Sequence, residues 1–274
     1  MSSSSSPGPL VGRGGDGWDL QYVLHREGRV DRNCDPCPIQ ETNAATISPE
    51  EFRERHIVTS EALVLRSFAA GWTAVGKWCD LEFFIEEFGH RTVPVEMGSM
   101  MDAKDGMKEK MITIGDFVRD FLIPSDERDY WPLSIQQTEL ALGRVAYLAQ
   151  HPLFDQIPAL LDDVVATPAH CGQDGPTRIN VWIGTGGTRT PLHFDSYDNL
   201  LVQIAGAKYV RLYDSDQTDK IYPLRGGGSG TGAQGNMSSL NCEVEDYDKH
   251  PAARDAVFKE VVLLPGDCLF IPAG

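Results

Sequence analysis

Six short runs rich in apolar and β-branched residues, each cut off by turn residues, occupy the stretch 145–274 and constrain this chain more than any other feature. VAYLAQ, TRINVWIG, NLLVQIAG, AKYVRLYD, KEVVLL and CLFIP are all of strand length. That texture excludes a succession of βαβ units and predicts a sandwich or jelly roll. LLVQIAGAKYVRLY reads as a hairpin turning near Gly206, and VVLLPGDCLFIP as another turning at Pro265-Gly266-Asp267. Between them, RGGGSGTGAQGN (225–236) is too rich in glycine to support a packed element and reads as a flexible surface insertion. It lacks the GK[ST] ending of a phosphate loop.

The first half is more helical. Ser48-Pro49-Glu50-Glu51 offers a capping hydroxyl, a proline at the first helical position and a glutamate at the third, so a helix should run through FRERH. ALVLRSF and RTVPVEMGS have strand character. A second helix is expected from about Asp80 to Phe88, stopped by Gly89 in the left-handed conformation. ITIGDFVRDFL is apolar at helical spacing, with Thr113 as its cap. The expected organisation is a poorly ordered leader (1–36) and one domain (37–274), helical to about 144 and β-rich from 145.

Composition narrows the function classes. With 24 Lys+Arg against 40 Asp+Glu, the formal charge of −16 disfavours direct contact with nucleic acid or anionic membranes and favours basic partners. No apolar run approaches the ~20 residues a bilayer-spanning helix needs, and MSSSSSPGPLVGRGG has no secretory apolar core. Cysteines at 34, 37, 79, 171, 242 and 268 are too sparse for a disulfide framework. Cys34-Asp35-Pro36-Cys37 is a lone CxxC, read as free thiols in a loop.

TRTPLHFDSYDN carries the chemistry. On an extended segment His193 and Asp195 share a face while Phe194 points away. An imidazole and a carboxylate so placed suit a divalent metal, and two histidines with one carboxylate leave open positions on Fe(II). The bland alternative is a surface turn. Lys208 falls in a strand expected to be buried, where an unpaired ammonium needs an anion; the alternative is a lysine reaching solvent. Thr190, Asn199 and Tyr147 are polar groups that could orient the same anion.

TPLHFDSYDNLLVQIAGAKYVRLY, with YLAQHPLFDQIP before it and LLPGDCLFIP after it, resembles the JmjC-domain 2-oxoglutarate oxygenases. The likeness begins near Cys37 and runs through FRERHIVTSEALVLRSFAAGWTAVGKW and RTVPVEMGS to the last residue. It implies a mainly β fold with flanking helices, a double-stranded β-helix of the cupin-like jelly-roll type. It further implies Fe(II) on His193 and Asp195, with Lys208 pairing with the distal carboxylate of 2-oxoglutarate, assisted by Tyr147, Thr190 and Asn199. Trp182 matches a pocket-lining position, its alternative being simple core packing. Glu96 matches a carboxylate near the substrate, suited to a guanidinium; its alternative is a solvated strand-edge acid.

The implied function is hydroxylation of a basic protein or peptide, at arginine or at methyl-lysine with loss of formaldehyde, in nucleus or cytoplasm. In the family, the strand reading LFIP here leads to a tryptophan-histidine pair whose histidine is the third ligand. That ligand and the last core strands are therefore expected beyond Gly274, and weak iron binding with little turnover is expected of this chain alone. His151, His170 and His250 are not placed to substitute. Met100-Met101 departs from the family pattern at a position bearing on substrate choice. Two other readings stand beside the oxygenase: a non-catalytic module that binds basic peptides, and a cupin isomerase or hydrolase, against which the implied Lys208 and Tyr147 site counts.

Overall fold

The structure is a computed structural model that describes residues 36–97, 108–123, 145–186, 188–224, 235–242 and 246–274. The leader through residue 35, Cys34, Met100-Met101, the expected boundary at 144 and the glycine-rich stretch 225–234 lie outside the described residues. Eleven strands are described: β1 (Cys37–Pro38), β2 (Gln40–Asn43), β3 (Leu63–Arg66), β4 (Thr92–Met97), β5 (Lys108–Thr113), β6 (Ala146–His151), β7 (Val181–Gly184), β8 (Asn199–Val202), β9 (Lys208–Leu212), β10 (Lys259–Leu263) and β11 (Cys268–Ile271). The described part is mainly β with mostly antiparallel pairing, as the jelly-roll expectation requires. Two compact units divide the chain, Met1–Gly71 with Leu192–Gly274, and Trp72–Pro191.

The first unit holds two sheets, ordered β1-β10-β9 and β2-β3-β11-β8. Alternation along the strands explains how both faces of the second sheet are buried. Val64, Leu201, Leu269 and Ile271 pack with Val210, Leu212, Val261 and Leu263 of the first sheet. Leu63, Leu65, Leu200, Val202, Cys268 and Phe270 point the other way, onto Phe52 and Ile57. Those two residues come from the helix Pro49–Phe52 and its wider-turn continuation Arg53–Ile57. Ser48 caps this helix as its sequence predicts, its Oγ accepting from the Glu51 amide at 3.1 Å.

Neither expected hairpin forms. β8 pairs with β11, and β9 with β10, so the turns near Gly206 and at Pro265-Gly266-Asp267 carry the chain between sheets. The physical reason lies in the side chains. β8 and β11 are apolar on both faces and belong in the sheet covered on both sides, whereas β9 and β10 place Tyr209, Arg211 and Glu260 on their outer face. Both corners use a glycine in the left-handed region, Gly206 at φ 69° and Gly266 at φ 94°. Asp267 braces the second corner, accepting from the amides of Leu264 and Ser67 and pairing with Arg66, which also holds Glu41.

The second unit holds the sheet β5-β4-β6-β7. The helix Leu81–Phe88 starts at the Asp80 cap as expected. Gly89, however, has φ −56°, not a left-handed value. It is glycine for space, because a Cβ there would collide with the Ile85 carbonyl oxygen. The expected helix after Thr113 runs as Ile114–Phe117 and Val118–Leu122, with Thr113 Oγ1 accepting from the Asp116 amide at 3.0 Å. Among the described residues no helix is long and apolar enough to cross a membrane.

Candidate metal and cosubstrate site

In the first unit, extended backbone at Leu192 to Phe194 pairs with residues 236–238. The Phe194 amide donates to the Asn236 carbonyl at 3.0 Å, and the Ser238 amide to the Leu192 carbonyl at 2.8 Å. His193 forms an isolated bridge with Met237. From this support His193 Nε2 lies 4.0 Å from Asp195 Oδ1, with the two side chains 36% and 51% exposed. Phe194 is itself exposed. One ion bonded at roughly 2.0–2.2 Å to each donor bridges at most about 4.3 Å, so the pair is within reach of a shared metal. Among the described residues no group of three His, Cys, Asp or Glu side chains gathers to hold one.

Asp195 is fixed at two points. Asn199 Nδ2 donates to its Oδ2 at 3.0 Å, and the Gly274 amide donates to its carbonyl at 2.8 Å. One turn on, the Ala273 amide donates to Asp198 Oδ1 at 2.9 Å. The backbone leaving β11 thus runs beside Asp195.

Asn199 and Lys208 face the interior between the two sheets of this unit. Asn199 opens β8 two residues before the inward Leu201, and Lys208 opens β9 two residues before the inward Val210. Lys208 sits opposite the buried Leu263. Burial pushes its ammonium below the ordinary lysine value. It has no hydrogen-bond or ion-pair partner among the described residues. The sequence places Lys208 on a hairpin partner of Asn199; in the structure it lies on the facing sheet.

The second unit carries the other candidates. Glu109, Glu96, Tyr147 and Gly184 lie in register across β5, β4, β6 and β7 and so share one sheet face. Trp182, two residues before Gly184, shares it too and is 42% exposed, not packed in the core. Burial raises the Tyr147 phenol, opposed by its hydrogen bond with Thr190 and reinforced by Glu96. Burial and then the neighbouring Glu109 raise the Glu96 carboxyl above the ordinary carboxylate range. Gly184 and Thr188 are absent from the sequence reading, yet a Cβ at 184 would run into both the Tyr147 ring and Thr188. Glycine closing a strand next to a polar TGGT run is the signal that could have found it.

His151 bonds Gln156, and the buried His250 bonds Ser239 Oγ at 3.1 Å, so both have local roles. Burial lowers His170.

Residues 49–274 match the Cupin-like domain family. JmjC domain-containing protein F of Dictyostelium discoideum is 33% identical over 267 residues, which cover 81% of this chain and 55% of that protein. Lysine-specific demethylase 8 of Xenopus tropicalis is 32% identical over 229 residues, 82% of this chain and 46% of that protein. Jumonji C domain-containing protein 5 of Drosophila melanogaster is 31% identical over 249 residues, 89% and 56% respectively. The chain therefore spans about half the length of the curated relatives it matches. On the matched domain and these relatives, the chain belongs to the cupin-like JmjC family.

Proposed function

We propose that the chain carries the core of an Fe(II)- and 2-oxoglutarate-dependent protein hydroxylase. The observation that carries this reading is Lys208, an inward-facing ammonium with no anionic partner among the described residues. Desolvating a cation without a counter-charge costs stability, and a dicarboxylate cosubstrate would supply the missing charge. The donor chemistry of His193 and Asp195 suits Fe(II). When bound, iron would activate dioxygen, the oxidant, while 2-oxoglutarate would supply two electrons and leave as succinate and carbon dioxide.

The chain's own residues bind and orient. Lys208 would hold the distal carboxylate as a charge-assisted pair, and Tyr147, Thr190 and Asn199 are its proposed hydrogen-bonding groups. Tyr147 remains a neutral donor, because burial holds its phenol above the ordinary value. Glu96 and Trp182 would meet the substrate: a carboxylate and an exposed indole on one sheet face suit a guanidinium or a methylated ammonium. The net charge of −16 favours a basic protein or peptide. Relatives named lysine-specific demethylases act, by those names, on lysine, so both arginine and methyl-lysine are candidate sites.

Mass spectrometry of arginine- and methyl-lysine-containing basic peptides, incubated in air with the protein, Fe(II) and 2-oxoglutarate, tests the reading. Expected is either one added oxygen or loss of a methyl group, matched by succinate and lost on His193→Ala. Peptide binding that survives His193→Ala with no succinate in any condition would favour a non-catalytic peptide-binding module instead.

A further inference from the structure

We propose that Asn199 is a positioning residue for Asp195, holding that carboxylate as a one-oxygen metal ligand. This rests on the metal-binding reading above and differs from the cosubstrate role given to Asn199 there. Its side-chain nitrogen is 3.0 Å from Asp195 Oδ2 and 3.2 Å from the Tyr197 carbonyl oxygen. Both neighbours only accept, so the orientation of the amide is determined: the NH2 group faces Asp195.

The consequence is that the two oxygens of Asp195 are no longer equivalent. Oδ2 is engaged by Asn199, whereas Oδ1 is the oxygen 4.0 Å from His193 Nε2. A half-exposed carboxylate outside any strand or helix would otherwise rotate freely about its last torsion and offer either oxygen or both. Asn199 has the rigidity to prevent this, since it opens β8 and pairs with Ile271 of β11. Hydrogen bonds of this kind orient metal ligands generally, and their loss typically costs about 10- to 100-fold in metal affinity.

The test is Mn(II) binding to the full chain without any cosubstrate, read from the free-ion electron paramagnetic resonance signal. The proteins are the wild type, His193→Ala, Asn199→Ala and the near-isosteric Asn199→Leu, each checked for folding by its thermal melt. Expected is Mn(II) binding that His193→Ala removes and that both Asn199 variants weaken by about 10-fold or more. Agreement between the Ala and Leu variants separates the lost donor from lost packing. If Asn199 served only the cosubstrate, both variants would bind Mn(II) as the wild type does; that result overturns the proposal and leaves the metal-binding reading intact. Wild-type binding that is absent, or indifferent to His193→Ala, overturns the reading and the proposal together.

Discussion

The two faces of β9 each carry a cation, and they treat it in opposite ways. On the outer face Arg211 Nε donates to the Tyr209 hydroxyl at 3.1 Å, Nη1 donates to the Cys242 carbonyl at 2.9 Å, and the guanidinium lies 4.1 Å from the Phe258 ring centre. Tyr209 in turn donates to the buried Glu260 at 2.6 Å. Burial alone would lower Arg211, but the hydroxyls of Tyr209 and Tyr213 outweigh it and push it up. Burial, with Glu260 adding to it, pushes Tyr209 up to about 12. Three residues away on the inner face, Lys208 is pushed down by burial with nothing opposing it. Among the described residues one cation is fully satisfied and its neighbour has no partner, the contrast expected between a structural charge and the ligand-binding one proposed above.

Arg211→Ala is the strongest way to break this contrast. Removing the guanidinium strands the Tyr209 and Glu260 network, and the half-buried setting sets the cost at about 2–3 kcal/mol, read as a lowered midpoint in urea. Lys208→Met should do the reverse, stabilising the ligand-free protein by about 1 kcal/mol while abolishing cosubstrate binding. A destabilised Lys208→Met would show that the ammonium has a structural partner after all.

The pH dependence sharpens the same point by a smaller amount. Because the folded state lowers Lys208 below its ordinary 10.5, the unfolded state binds more protons between the two values. The burial penalty is therefore fully present below the folded value and is relieved as pH rises through it towards 10.5. The stability advantage of Lys208→Met over the wild type should shrink across that window in urea titrations. The smallest effect is Tyr147→Phe, which loses the hydrogen bond with Thr190 for about 1 kcal/mol or less and should weaken a 2-oxoglutarate mimic several-fold at most.

Much of this was legible where the information is local. Ser48, Asp80 and Thr113 cap the helices their spacing promises, because a cap is decided within three residues. The burial expected of Lys208 is found, and His193 and Asp195, expected to share a face, lie 4.0 Å apart. Sheet membership did not: a glycine turn reads alike whether it joins paired strands or crosses between sheets. The usable signal was that β8 and β11 are apolar on both faces. The Arg66–Asp267 brace joins residues about 200 positions apart, and Lys77 and Trp78 share the buried carboxylate of Asp163 across more than 80. Such pairs have no local signature. The bond from Asn199 to Asp195, only four residues away, depends on the bend between them, which spacing alone does not specify.

The central claim is that Lys208 is held in reserve for a dicarboxylate beside a metal on His193 and Asp195. Thermal melts with Mn(II) and N-oxalylglycine, added singly and together, test it most directly in the wild type, Lys208→Ala and His193→Ala. The account predicts a joint upward shift in the wild type that exceeds either additive alone and is lost in both variants. An equal joint shift in Lys208→Ala, or no shift in the wild type at saturating additives, would contradict it.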